Sequence, residues 1–209
     1  MQAWRRAEAI ALVGALLALL GDLGQLWTVN AARPGLGLGA PPAGLIVWAT
    51  LLGAFGIPLY AFGYRAEARR LAGRPDAVLV GRAGGAFAVI GGSVHATTGV
   101  LVAENARGIV GASDPLQGIL AAGPIVLALW AAAAVALLVA GLAHFRAAPR
   151  LAERLWNPLG LTLAAMALAL LLPLPWRDFA APAGVNVAHV LWFARGTLRS
   201  GLRPAARRR

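Results

Sequence analysis

The chain has 209 residues, of which 59% are hydrophobic and 13% charged. A soluble domain carries roughly 25% charged residues, so the composition excludes a water-soluble globule and points to helices buried in lipid. Cysteine is absent, which excludes disulfides, thiolate metal sites and cysteine nucleophiles. A net charge of +11 would suggest nucleic acid in a soluble protein. Here the distribution of the arginines gives a simpler account, and no nucleic-acid partner is expected.

Residues 1–6 form a short basic head. The first expected span covers 7–29. Val29-Asn30-Ala31 imitates a signal-peptide cleavage site, but the apolar stretch is too long and Asp22 interrupts it, so the helix is expected to be retained. A Gly/Pro loop over 30–42 cannot be helical throughout. Further spans are expected over 43–64, 81–104, 118–145, 155–174 and 182–198. The 65–76 segment between the second and third is polar and basic. Ser113-Asp114-Pro115 marks a turn before the fourth span, and Pro173 and Pro175 stop the fifth. The expected fold is all-α: one transmembrane domain of six helices, with a basic tail over 199–209.

Six spans place both termini on one side, and the arginines agree. All 19 basic residues are Arg. Sixteen fall in segments assigned to the side of the termini; only Arg33, Arg107 and Arg177 fall on the other. The positive-inside rule then makes the termini cytoplasmic. Trp4 and Trp156 are expected at the inner interface, Trp27 and Trp176 at the outer. The arginine tail attracts anionic lipids, at about 1 kcal/mol per residue near the surface. An all-Arg chain rich in Ala, Gly and Pro suggests a GC-rich bacterial genome, hence a bacterial cytoplasmic (inner) membrane.

The third span holds Gly84, Ala88, Gly92 and Ala96 at a four-residue spacing. On a helix they form one smooth stripe, which lets backbones approach closely in lipid. This helix is expected at the bundle centre and least exposed to lipid. The fourth span reads as featureless Ala/Leu/Val, so a Leu at Ala133 is expected to be tolerated far better than one at Gly92.

Ionisable residues inside spans are costly and face the interior. Asp22, His95 and His189 lie on the first, third and sixth spans, each about 10–13 Å from the outer end at 1.5 Å per residue. They are expected to converge. Gln25 and Asn186 lie one turn from Asp22 and His189, and Thr98 shares the face of His95; these are the expected supporting residues. Ser93 and Glu104 fall on nearly the opposite face and are discounted.

Two histidines and a carboxylate form a common catalytic zinc set with an open water position. His95, His189 and Asp22 would hold zinc or another divalent metal for hydrolysis of a membrane-embedded substrate. In residue types this is similar to multi-helix membrane hydrolases of the ceramidase type. Three alternatives stand beside it. A haem would use His95 and His189 as axial ligands, with Gly91, Gly92 and Gly99 giving the ring room. A small proton- or solute-coupled transporter would use Asp22 and His95 as a titrating pair. A structural bundle would use all three as interhelical hydrogen-bond partners. Gly21-Asp22, Gly91-Gly92-Ser93-Val94-His95 and Asn186-Val187-Ala188-His189 together resemble a pattern in uncharacterised bacterial six-helix membrane proteins of unassigned function. That resemblance implies six helices and names no activity.

Overall fold

The computed structural model describes residues 2–31, 36–37, 39–106, 124–173 and 176–202. These residues are helical with short connections and contain no strand. Four helical stretches are long and apolar enough to cross a membrane. The first is α1, Gln2–Asn30. The second runs continuously over Leu45–Arg70 as α2, Leu45–Gly56, a 3-10 turn, Ile57–Leu59, and α3, Tyr60–Arg70. The third is α4, Ala77–Ala106, and the fourth is α5, Pro124–Ala147. Residues 118–123 of the expected fourth span, its preceding turn and the basic tail beyond 202 lie outside the described residues.

The fifth expected span is shorter than the sequence suggests. A five-residue helix, α6, Leu151–Leu155, ends at Trp156, and α7 covers only Pro158–Leu170. Asn157 caps α7 by accepting from Gly160 N at 2.9 Å, and Pro158 sits at its first turn. This start signal separates the two helices. Thirteen residues rise about 20 Å, short of the ~30 Å hydrocarbon core. A short helix α8, Trp176–Ala180, follows, and the chain closes with α9, Gly184–Leu202.

The long elements touch in a closed ring: α1, the α2–α3 span, α4, α5, α7, α9 and back to α1. Small residues make the close contacts. Ala11, Ala15 and Ala18 on α1 are fully buried. A Cβ at Gly14 would lie 2.5 Å from Gly56 O, and one at Gly56 would lie 2.6 Å from Gly14 O, so each helix needs glycine at that crossing. The Gly84–Ala88–Gly92 stripe seats α4 on the second span, as a Cβ at Gly84 would strike the Tyr64 ring and one at Gly92 would strike Pro58. Pro58 has no N–H to give the Ala54 carbonyl, and that carbonyl faces Gly92.

Two expectations about packing are corrected. The third span is one member of the ring rather than its hub, and it is no more buried than α1, at 39% of the membrane-length window in each. The fourth span is not featureless. Ala133, Ala136, Leu137, Ala140, Ala143 and Ala147 form a buried stripe at helical spacing, so Ala133 sits in the core. The ring interior is filled by Tyr60, Tyr64, Phe87, Trp192, Phe193 and His189.

The ring has a distinctly charged end. Glu8, Glu67, Arg70, His144, Glu153, Arg195 and Arg199 line one cavity there, bringing together the start of α1 and the ends of α3, α5 and α9. Arg195 stacks over the Trp156 ring, 4.9 Å from its centroid. At the opposite end Trp27 donates to Gly39 O at 2.9 Å.

Candidate functional site

His95 is the pivot of the site. Its ring is wedged between α1 and α2 at a gap that two glycines leave open. A Cβ at Gly53 would sit 2.1–2.4 Å from three ring atoms, and one at Gly21 would sit 3.1 Å from Nε2. His95 is 6% exposed. Its Nδ1 lies 3.3 Å from Asp22 Oδ1.

The other nitrogen has two neighbours of opposite kind. Gln25 Nε2 is 2.9 Å from His95 Nε2 and also donates to His95 O at 3.2 Å. The carbonyl can only accept, which fixes the amide orientation. Ala49 O is 3.1 Å from the same Nε2. Neutral His95 with its proton on Nδ1 therefore donates to Asp22 and accepts from Gln25. Protonated His95 donates from Nδ1 to Asp22 and from Nε2 to Ala49 O once the Gln25 amide turns its N–H off Nε2 and onto His95 O.

Asp22 has a second donor. Asn186 Nδ2 donates to Asp22 Oδ2 at 2.7 Å, and Tyr60 O–H donates to Asn186 Oδ1. The donors run inward from both sides to the carboxylate: Gln25 through His95, and Tyr60 through Asn186. Helices α1, α3, α4 and α9 thus meet in one hydrogen-bonded chain.

His189 lies one turn farther along α9. It is fully buried, with Nδ1 2.7 Å from Val185 O and Nε2 2.8 Å from the Tyr64 hydroxyl. The carbonyl forces Nδ1 to donate, so Nε2 accepts from Tyr64. The ring stacks between Tyr60, at a centroid distance of 4.5 Å, and Phe87, at 5.2 Å. Tyr60–Asn186 and Tyr64–His189 form two rungs one helical turn apart.

The structure therefore joins Asp22 directly to His95 and places His189 on the next rung. Gln25 serves His95 rather than Asp22, and Asn186 serves Asp22 rather than His189. Thr98 Oγ1 is buried without a hydrogen-bond partner among the described residues and does not join the chain. Among the described residues no three His, Cys, Asp or Glu side chains are placed to hold a metal ion. The lone pair that His189 would offer zinc already accepts from Tyr64. A haem does not fit either. His189 is stacked between aromatic rings, and Cβ atoms on Gly91, Gly92 and Gly99 would meet Ile57, Pro58 and Thr50, so those glycines admit a helix rather than a macrocycle.

Sequence reasoning missed a second polar cluster. His144 is 1% exposed, and its Nε2 lies 2.7 Å from Glu67 Oε1. Arg70 donates twice to Glu67, at 2.6 and 2.7 Å, and once to Glu153, at 3.0 Å. Arg150 reaches Glu153 at 3.2 Å. Burial pushes the Glu153 carboxyl up, but the hydrogen bond and charge of Arg70, with Arg199 and Arg150 nearby, outweigh it and hold the group below the ordinary carboxylate value. The available signal was spacing: Glu67 and Arg70 are three apart on one helix. Tyr60 and Tyr64, the chain's two tyrosines, are four apart and share a helix face.

No protein-family model, curated protein or solved structure matches the chain.

Proposed function

We propose that the chain is a multi-pass integral membrane protein whose Asp22–His95 pair takes up and releases a proton, as the working centre of a small proton- or solute-coupled transporter. One observation carries this reading: His95 Nε2 faces a donor, Gln25, and an acceptor, Ala49 O, at hydrogen-bond distance. Both protonation states have a partner without moving a helix. A purely structural histidine needs only one of them.

The membrane setting has its own support. Large apolar side chains point outward around the ring, with Val13, Trp48, Phe55, Val89, Ile125 and Leu168 all more than half exposed. Lipid rather than water suits such a surface. We assign six spans, α7 and α9 completing the four long ones, with both termini cytoplasmic in a bacterial inner membrane and anionic lipids against the arginine-rich face. The gathering of the described Arg-bearing ends at one end of the ring supports this topology, and the resemblance to six-helix bacterial proteins agrees with it. Reporter fusions after Arg70 and after Arg107 should report opposite sides; two fusions on the same side would refute it.

The proton reading is tested in proteoliposomes loaded with a pH-sensitive dye. A pH gradient should drive proton entry through the native protein, and Asp22→Asn and His95→Gln should abolish it. A second reading, interhelical polar glue, is favoured by the closed hydrogen-bond chain itself. It predicts that both variants lose only stability and that the native protein carries no flux. Stoichiometric zinc in the purified protein, lost in His95→Ala and His189→Ala, would instead restore the hydrolase reading.

A further inference from the structure

The charged end of the ring holds a cavity of about 20 Å3, bounded by Glu67, His144, Trp156, Arg195 and Arg199 among others. A cavity of this size holds one water. Two buried nitrogens of residues lining it, His144 Nδ1 and Trp156 Nε1, have no hydrogen-bond partner among the described residues. Their needs are complementary. His144 Nε2 donates to Glu67, so Nδ1 of the neutral ring offers a lone pair, whereas an indole N–H can only donate. A single water that reached both would accept from Trp156 and donate to His144.

We propose that this chamber is a proton port: an ordered water between Trp156 and His144, through which the His144–Glu67 pair exchanges protons with the arginine-rich side. This rests on the proton reading of the Asp22–His95 pair and adds a second titrating station. The step balances. A proton from the arginine-rich side adds to His144 Nδ1 through the water, giving an imidazolium whose Nε2–H stays on the Glu67 carboxylate, and release returns the proton by the same path.

The groups facing the pair come from each element around the cavity: Glu8 on α1, Arg70 on α3, Glu153 on α6, and Arg195 and Arg199 on α9. Arg70 donates to both Glu67 and Glu153, so it is a fixed countercharge to the two acids beside His144. Trp192 lies between this port and the next rung, its ring 5.8 Å from His144 and 4.9 Å from Tyr64. The two histidine–carboxylate pairs therefore stand on opposite sides of an aromatic partition.

The test uses the full chain, 15N-labelled at histidine, in proteoliposomes whose inner and outer pH are set separately. The His144 ring nitrogens should show a water cross-peak, lost in Trp156→Phe, and should titrate with the pH of the arginine-rich side alone. Absence of the cross-peak in the native protein, or a His144 signal that follows the opposite side or ignores pH, would overturn the proposal. Proton flux separates the two readings. A His144→Gln variant should slow it at least tenfold. Native flux in His144→Gln with none in Asp22→Asn refutes the port and keeps the Asp22–His95 centre. Native flux in Asp22→Asn refutes that centre, and the water cross-peak and titration side still decide the port.

Discussion

Replacing Gly53 by Ala probes the fit of His95 directly. In an open stretch of helix, Gly→Ala stabilises by about 1 kcal/mol through propensity alone. At Gly53 the new Cβ would lie 2.1 Å from Nε2, 2.2 Å from Cδ2 and 2.4 Å from Cε1 of His95. The ring cannot slide away cheaply, because Nδ1 is held at Asp22 and Nε2 between Gln25 and Ala49. Overpacking of this kind costs about 1–3 kcal/mol, and three ring contacts place it at the upper end. The net destabilisation is then about 2 kcal/mol after subtracting the propensity gain. Gly85 is the matched control, since a Cβ there meets nothing within 4 Å; Gly85→Ala should stabilise by about 0.5–1 kcal/mol. Reversible unfolding in mixed micelles measures both, and the variants should differ by about 3 kcal/mol. Equal stabilities would refute the wedged placement of His95 and the site built on it.

Gly92→Leu should disrupt folding, because its Cβ alone would lie 2.9 Å from Pro58; Ala134→Leu, on the exposed face of α5, should be tolerated, as read by monodispersity after extraction. Tyr64→Phe leaves His189 Nε2 buried without its donor and should cost about 1–2 kcal/mol in the same unfolding assay. Glu153 has a lowered carboxyl value in the folded protein, so its stabilising contribution is complete above the ordinary carboxylate value and is lost as pH falls through the folded one. The native protein should therefore lose stability in acid more steeply than Glu153→Gln, as melting curves across that range will show.

Apolar length and punctuation were enough to place the four long helical stretches. The Gly/Pro loop before Leu45 and the basic break before Ala77 mark real ends, because backbone without lipid-compatible hydrogen bonds has nowhere else to go. The Asn157-Pro158 start was present in the sequence but read through as one span, since hydropathy averages over a short interruption. For the site, the pairing of Asp22 with His95 followed from cost: an ionisable group in the interior requires a partner. Depth counting was too coarse to see that His189 sits one rung away, because the last helix starts at Gly184, two residues later than expected, and a turn is only about 3.6 residues. Tyr60 and Tyr64 escaped notice because a tyrosine in an apolar run looks like core until its hydroxyl partner is known. Gly53 could not be assigned a role at all: nothing local distinguishes a glycine that admits a helix from one that admits an imidazole.

The reciprocal glycines at Gly14 and Gly56 bear on the order in which the protein is made. Chains emerge N-terminus first, and α1 with α2 is a sequence-local pair that can close as soon as both are synthesised. That hairpin already carries Asp22, Gln25, Gly53 and the Ala49 carbonyl, so the slot for His95 exists before α4 arrives. Asn186, the second donor to Asp22, comes with the last helix. Until α9 docks, one oxygen of Asp22 lacks the amide that meets it in the finished ring. A nascent chain stalled before α9 therefore displays an unmet carboxylate to the insertion machinery and to membrane proteases, and completion of the ring is what hides it.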